Sequence, residues 1–291
     1  MKIAIVGANG FIGRNLARAL SASGVEVVPI TSQDRFASAT GLLTEDLPVD
    51  PAIRGVVYLS QSPRYRDVPR SAPHLWGVNV VSAITAAEWA RRCGATRFVY
   101  ASTGNVYQPG FRPHREDGPT RRDSWYPLSK VQAEDALALF QGDLQVTSVR
   151  LFGVYGPGQH GKLIPNLIEA IRTNTPVRLD PHPSDLHDAG GLKLSLGYVN
   201  DVVQALRMLV MGDGPQTLNI AGPEALSIRN IADAIGAALG KAPVYHVTTS
   251  ARAGDLIADN TELCNRFTLK FTTFKSGLTA TIAAAEGNPT P

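Results

Sequence analysis

Lys2-Ile3-Ala4-Ile5-Val6-Gly7-Ala8-Asn9-Gly10-Phe11-Ile12-Gly13 opens the chain, and its reading decides the fold. Residues 2–6 form a short apolar, β-branched run, the pattern of a strand buried on both faces. Three glycines spaced G-x-x-G-x-x-G follow at once. A helix-forming run, Arg14-Asn15-Leu16-Ala17-Arg18-Ala19-Leu20, comes next, and a second strand, Val25-Glu26-Val27-Val28-Pro29-Ile30, completes a βαβ unit. Glycines at such a turn let the backbone bend tightly and approach a pyrophosphate, which the free N–H groups of the helix start then stabilise. Gly7, Asn9, Gly10, Phe11, Ile12 and Gly13 are therefore candidate dinucleotide contacts. A purely structural turn is the alternative, but strand, glycines, helix and strand arrive in register.

Composition sets the class. The 291 residues, 44% hydrophobic and 18% charged, fit a soluble globular protein of one large domain, or one plus a smaller lobe. The net charge of +3 is small and both signs are interspersed, which argues against a nucleic-acid surface or a polybasic membrane anchor. No apolar run approaches the ~20 residues of a membrane span. A strand begins at residue 2, so no signal peptide and a cytoplasmic location are expected. Cys93 and Cys264 lack metal or redox spacing and read as two buried thiols. His182, Asp185, His187 and Asp188 fall in a polar loop, Pro181 to Leu192, expected to be mobile; their spacing is irregular and no metal is expected.

Trp125-Tyr126-Pro127-Leu128-Ser129-Lys130 starts another helix-forming run. Four residues apart on a helix, Tyr126 and Lys130 share one face. A phenol, with a pKa near ~10, carries protons poorly at neutral pH, and a lysine charge a few Å away favours its phenolate. Such a pair alone is usually a solvated helix face. Its weight comes from Ser102-Thr103-Gly104-Asn105-Val106-Tyr107, which follows the strand Arg97-Phe98-Val99-Tyr100-Ala101-Ser102. The Thr103 hydroxyl can share a hydrogen bond between Tyr126 and a substrate oxygen and so align both.

With these motifs the chain resembles the extended short-chain dehydrogenase/reductases of the NAD-dependent epimerase/dehydratase type, from Lys2 to about Ile282. The resemblance implies an α/β protein: a Rossmann-like doubly wound parallel sheet with a smaller C-terminal α/β substrate lobe. Residues 1–155 plus about 198–224 would form the dinucleotide-binding domain. Residues of about 156–197 and 225–291 would form the lobe. It also implies Thr103, Tyr126 and Lys130 as catalytic groups, and cofactor contacts at Leu59, Ser60, Gln61, Ala101, Tyr126 and Lys130. Asn79 would order a water near the lysine, and Asp46 with Leu47 would meet adenine. A homodimer through the helices containing Ala83 and Lys130 is expected.

The second strand of such units usually ends in an acid that binds the adenosine ribose. Here Thr31 and Ser32 stand there, with Arg35 close behind. Without a carboxylate a 2′-phosphate is not repelled, and Arg35 is placed to pair with it. The cofactor is expected to be NAD(P), with NADP(H) slightly favoured over NAD(H).

The substrate end departs from the family pattern. Gly104 and Asn105 replace the Asp-Glu pair of 4,6-dehydratases, and Asn105 also replaces the cysteine of the epimerase/reductases that make GDP-fucose. Gly153 replaces an asparagine that binds substrate phosphate. Leu194 replaces a diphosphate-clamping arginine, with Lys193 beside it as a point charge. Arg252-Ala253-Gly254-Asp255 keeps a pattern whose arginine meets the diphosphate and whose aspartate meets the nucleoside. His160 and Lys162 lie near the expected substrate entrance. Thr103, Asn105, Gly153, His160, Lys162, Lys193, Arg252 and Asp255 are thus the candidate substrate contacts. The implied chemistry is hydride transfer on a sugar carbon, C4 of a nucleotide-diphosphate sugar, by a 4-epimerase or a 4-ketoreductase. A reductase of a non-sugar ketone and a non-catalytic dinucleotide sensor or scaffold are the alternatives. The partner is a small molecule, with neither nucleic acid nor membrane.

Overall fold

Alternation of apolar side chains along the early strands builds two helical layers onto one sheet. In a computed structural model, which describes residues 1–34, 38, 40–185 and 187–287, the chain runs β1 (Lys2–Val6), α1 (Phe11–Ala22), β2 (Glu26–Ile30) and β3 (Ile53–Tyr58). It continues through α2 (Ala72–Trp76), a π-helical turn (Gly77–Val81), α3 (Ser82–Arg92), β4 (Arg97–Thr103), α4 (Trp125–Ala138) and β5 (Gln145–Leu151). After β6 (Val154–Tyr155) come α5 (Leu163–Arg172), β7 (Val177–Leu179), β8 (Lys193–Ser195), β9 (Gly197–Tyr198), α6 (Val199–Met211) and β10 (Thr217–Ile220). The last elements are β11 (Ala225–Ser227), α7 (Ile228–Leu239), β12 (Tyr245–Val247), α8 (Thr261–Arg266) and α9 (Phe274–Ala285).

Six strands form the central sheet in the order β10-β5-β4-β3-β1-β2, and every neighbouring pair is parallel. Because a strand's side chains alternate in direction, Ile3 and Ile5 face one layer while Ala4 and Val6 face the other. The first layer is α1 and α6, through Leu16, Leu20, Val202, Val203, Leu206 and Leu209. The second is α3 and α4, through Ala83, Ala86, Ala87, Ala90, Ala133 and Leu137. The strand order reverses between β1 and β3, so the carboxyl ends of these strands open onto a crevice, with that of β4 beside them, where doubly wound sheets bind ligands.

A separate core gathers α5, α7 and α9 around Ile164, Ile168, Ile171, Ile231, Ile235, Leu278 and Ile282. Ser227 caps α7: its hydroxyl accepts from the Asn230 N–H, and the Asn230 side chain accepts in return from the Ser227 N–H. One stretch assigned to the lobe from sequence lies elsewhere. Leu263 of α8 is buried in the first layer's core, with Phe267, Leu269 and Phe271 packed against it. Cys93 is buried as expected, but Cys264 is exposed. Among the described residues no helix is long and apolar enough to cross a membrane.

Candidate active site

The glycine turn is forced by its own crowding. Gly7 has φ +91°, a conformation that costs any residue with a Cβ. A Cβ on Gly13 would stand 2.3 Å from the Gly7 carbonyl oxygen and 2.8 Å from that of Ala8, so helix and strand approach as closely as backbone allows. Gly10 precedes α1, and among the described residues no side chain caps that helix. A strand end, a turn without side chains and an uncapped helix start make a cradle for a pyrophosphate, and the residues present fit a dinucleotide.

Two adjoining cavities meet at this turn. One, of about 480 Å³, is lined by Gly7, Gly10, Phe11, Ile12, Gly13, Leu59, Gln61, Ala101, Thr103, Asn105, Tyr126, Lys130, Gly153, His160 and Lys162, among others. The other, of about 770 Å³, is lined by Gly7, Asn9, Gly10, Thr31, Ser32, Leu59, Ser60 and Gln61, among others. The catalytic candidates Thr103, Tyr126 and Lys130 thus share one cavity wall, reached from β4 and from the first two turns of α4.

The Thr103 oxygen accepts from both the backbone N–H and the side-chain amide of Asn105, each at 3.2 Å. Its own proton is left to donate, and its hydrogen bond draws the Tyr126 phenol down in pKa. Burial works harder in the other direction and pushes that phenol up to about 12. The Tyr126 hydroxyl donates to the Gln61 side-chain oxygen at 3.1 Å. Lys130 is 2% exposed, donates to the Ala101 carbonyl at 2.7 Å, and lies 4.7 Å from the centre of the Tyr100 ring. Burial lowers its pKa to about 7, partly offset by the Glu134 carboxylate one turn on. The sequence expectation that Lys130 lowers Tyr126 is therefore corrected for the chain by itself. The ammonium is spent on a carbonyl and a ring face, and desolvation governs both groups.

Behind this wall, Arg150 holds Glu134 at 2.7 Å, with both side chains almost fully buried. Ser102 donates to the same carboxylate. Arg150 also donates to the Glu116 carbonyl at 2.9 Å and lies over the Tyr107 ring. Tyr107 in turn donates to Asn219 at 2.6 Å. This network ties β4, α4, β5 and β10 together beneath Thr103 and Lys130.

Several sequence candidates lie elsewhere. Asn79 is fully buried, and both ends of its amide are used, by the Ser62 N–H at 3.2 Å and the Ser129 hydroxyl at 2.9 Å. It ties the π-helical turn to α4 rather than lining a cavity. Leu47 is buried in the second layer's core and Asp46 is exposed; among the described residues Thr40, Gly41 and Leu43 line the second cavity. Arg35 lies outside the described residues. Asp34, however, brings its carboxylate to the Thr31 N–H at 2.6 Å, so the end of β2 does carry an acid.

Arg252, Asp255 and Lys193 satisfy one another instead of facing the cavity. Arg252 is 7% exposed, pairing with Asp255 at 2.8 Å and Asp188 at 2.6 Å. Lys193 also reaches Asp188, at 2.9 Å. Burial opposes the Asp188 charge, but hydrogen bonds from Lys193 and Arg252 outweigh it and hold its carboxyl below the usual range. The loop expected to be mobile is thus pinned by Asp188, and by His182 packed at a tilt against Phe111, 4.0 Å between ring centres. Leu194, Leu196 and Leu256 form the cavity wall there. A Cβ on Gly153 would stand 2.7 Å from Leu196, so leucine fills the space an asparagine side chain would need.

Sequence reading missed Tyr65, which lines both cavities and lies 5.3 Å from the Tyr126 ring. It also missed His74, whose ring bridges Ser62 at 2.8 Å and the Thr40 carbonyl at 3.0 Å. The clue was Ser62-Pro63-Arg64-Tyr65-Arg66, a basic and aromatic run directly after a strand that ends at the cleft.

Residues 3–221 match the profile of the NAD dependent epimerase/dehydratase family. A UDP-glucose 4-epimerase of Mycolicibacterium smegmatis is 30% identical over 290 residues, covering 88% of each chain. A dTDP-4-dehydro-6-deoxy-D-allose reductase of Streptomyces bikiniensis is 27% identical, covering 82% of this chain and 81% of its own. Among solved structures, MoeE5 in complex with UDP-glucuronic acid and NAD superposes with a TM-score of 0.79 at 28% identity, covering 99% of each chain.

Proposed function

The chain belongs to the NAD dependent epimerase/dehydratase family, and from that premise we propose that it is an NAD-dependent 4-epimerase of a nucleotide-diphosphate sugar. One observation carries the reading: Thr103, Tyr126 and Lys130 line a single cavity that opens onto the glycine turn. When bound, the dinucleotide supplies hydride exchange at its nicotinamide, which no side chain can. The remaining work falls to the chain. Tyr126 exchanges the proton of the sugar's C4 oxygen, and Thr103 holds that oxygen with the proton its Asn105 contacts leave free. Lys130, one turn along the same face of α4, is placed to hold the ribose of the nicotinamide nucleotide. An epimerase repeats the exchange on the other face of the ring, so the product differs from the substrate only at C4.

NAD rather than NADP fits the adenosine side. The Asp34 carboxylate bound at Thr31 opposes the added charge of a 2′-phosphate, against the sequence expectation. A 4-ketoreductase is the second reading, favoured by a Tyr126 phenol that rests protonated with its pKa near 12, ready to donate to a ketone. The relatives named above include both activities.

The test is a panel of UDP-, GDP-, CDP- and dTDP-sugars incubated with protein and NAD, following reduced-nicotinamide absorbance and product stereochemistry. An epimerase yields the C4-inverted sugar without net accumulation of reduced cofactor. A ketoreductase instead consumes reduced cofactor one for one. Binding of cofactor with no turnover of any sugar would reject both and leave a sensor or a reductase of a non-sugar ketone.

A further inference from the structure

Among the described residues, six line both cavities: Gly7, Gly10, Leu59, Gln61, Tyr65 and Lys162. The junction is therefore bounded by the glycine turn together with Tyr65 and Lys162. A group passing from the adenosine-side cavity to the Tyr126 side must cross this junction, and a glycine turn at a helix start is built for a pyrophosphate. Lys162 directly precedes α5, on the lobe side, so it approaches from a different element than the turn itself.

Among the described residues its ammonium pairs with no carboxylate. It lies 5.2 Å from the centre of the Tyr65 ring and 3.5 Å from the Tyr65 hydroxyl. Arg66 lies 5.2 Å from the centre of the same ring. Among the described residues, the lysines and arginines lining the two cavities are Lys130, Lys162 and Arg64. Lys130 is committed to the Ala101 carbonyl. Arg252 and Lys193 are neutralised by Asp188 and Asp255. Arg64 lines only the second cavity, so among the described residues Lys162 is the lysine or arginine that lines both and is left for an anion at their junction.

We propose that Lys162, resting on Tyr65, closes over the pyrophosphate of the dinucleotide from the lobe side and so completes the cofactor site across from the glycine turn. The proposal rests on the dinucleotide reading but not on the identity of the sugar. It also gives the lobe a direct stake in cofactor binding, because α5 packs in the lobe's core.

The test is equilibrium binding of NAD, ADP and adenosine, followed by tryptophan fluorescence or calorimetry, for the unsubstituted protein, Lys162→Met and Lys162→Arg. UDP is titrated alongside, and thermal unfolding checks that each variant folds. Loss of one charge-assisted contact weakens NAD and ADP roughly tenfold in Lys162→Met, with a shallower salt dependence. Adenosine, which lacks phosphate, is unaffected, and Lys162→Arg keeps most of the affinity. Unchanged NAD and ADP affinity with weakened UDP would move the clamp to the substrate's diphosphate and overturn the proposal. Unchanged affinity for all four ligands would make Lys162 an ordinary solvated lysine. Failure of the unsubstituted protein to bind NAD at all would instead reject the dinucleotide reading beneath it.

Discussion

Replacing Gly13 by alanine adds one methyl group at the most crowded point of the cradle. Its position is fixed by the backbone, 2.3 Å from the Gly7 oxygen, 2.8 Å from the Ala8 oxygen and 2.9 Å from the Ala8 carbonyl carbon. All three neighbours are backbone atoms, so no side chain can rotate aside, and the turn must open by about 1 Å to reach ordinary contact. Forced overpacking of this kind costs about 1–3 kcal/mol. Alanine regains up to about 1 kcal/mol of helix propensity in α1. The net loss is about 0–3 kcal/mol, a fall of up to several degrees in Tm. NAD binding suffers more, because a turn displaced by about 1 Å carries its N–H groups out of hydrogen-bond range. Each charge-assisted bond lost is worth about 1.5–3 kcal/mol, so affinity falls at least tenfold. Gly10→Ala is the contrasting variant. Its φ is −69°, open to any residue, and its added Cβ would stand 3.2 Å from the Gly7 oxygen. It should fold with little change in Tm yet bind NAD more weakly, because Gly10 lines both cavities. Differential scanning fluorimetry and NAD titration read both variants. If Gly13→Ala kept both its Tm and its NAD affinity, the turn would not be packed as described.

Three further outcomes follow from the buried charges. Glu134→Gln leaves Arg150 buried without its carboxylate and should destabilise the fold by about 3–5 kcal/mol in denaturant unfolding; a loss under about 1 kcal/mol would mean that water reaches the pair. Lys130 titrates near 7 in the fold against 10.5 ordinarily. Between those values the unfolded chain binds a proton that the folded one does not, so stability of the protein without cofactor rises with pH across that window. Lys130→Met should flatten the rise, as measured by unfolding at several pH values; an unaltered slope would assign it to other groups. Asp188→Asn removes a charge shared by Arg252 and Lys193 and should speed proteolysis within residues 181–192, at a cost of about 1–3 kcal/mol; unchanged cleavage would show that the loop is held by other contacts.

What could be read in the sequence was whatever is local. The parallel sheet, the glycine turn and the Tyr126–Lys130 helix face each follow from a few consecutive residues and the periodicities of strand and helix. Thr103 was legible because Ser102-Thr103-Gly104-Asn105-Val106-Tyr107 resembles the family's segment after that strand. Contacts made across the fold were not. Arg252 read as an anion ligand because nothing in the sequence places Asp188, 64 positions away, against its guanidinium. Asp46 and Leu47 were named from resemblance alone; among the described residues it is Thr40, Gly41 and Leu43 that line the second cavity. Tyr65 escaped notice because an aromatic in a polar loop carries no periodic signal. The effect of Lys130 on Tyr126 was argued from charge alone, whereas burial, which a sequence does not display, sets the direction for both.

The central claim is that hydride chemistry takes place at a carbon held between Tyr126 and Thr103. The most direct measurement supplies a nucleotide sugar deuterated at C4 to the NAD-loaded protein and follows the label by mass spectrometry and NMR. The account predicts that the label returns to C4 of the inverted sugar in the unsubstituted protein. It also predicts that Tyr126→Phe, still binding NAD normally, loses this conversion by at least about a hundredfold. Loss of the deuterium to water, or a Tyr126→Phe variant as active as the original, would contradict it.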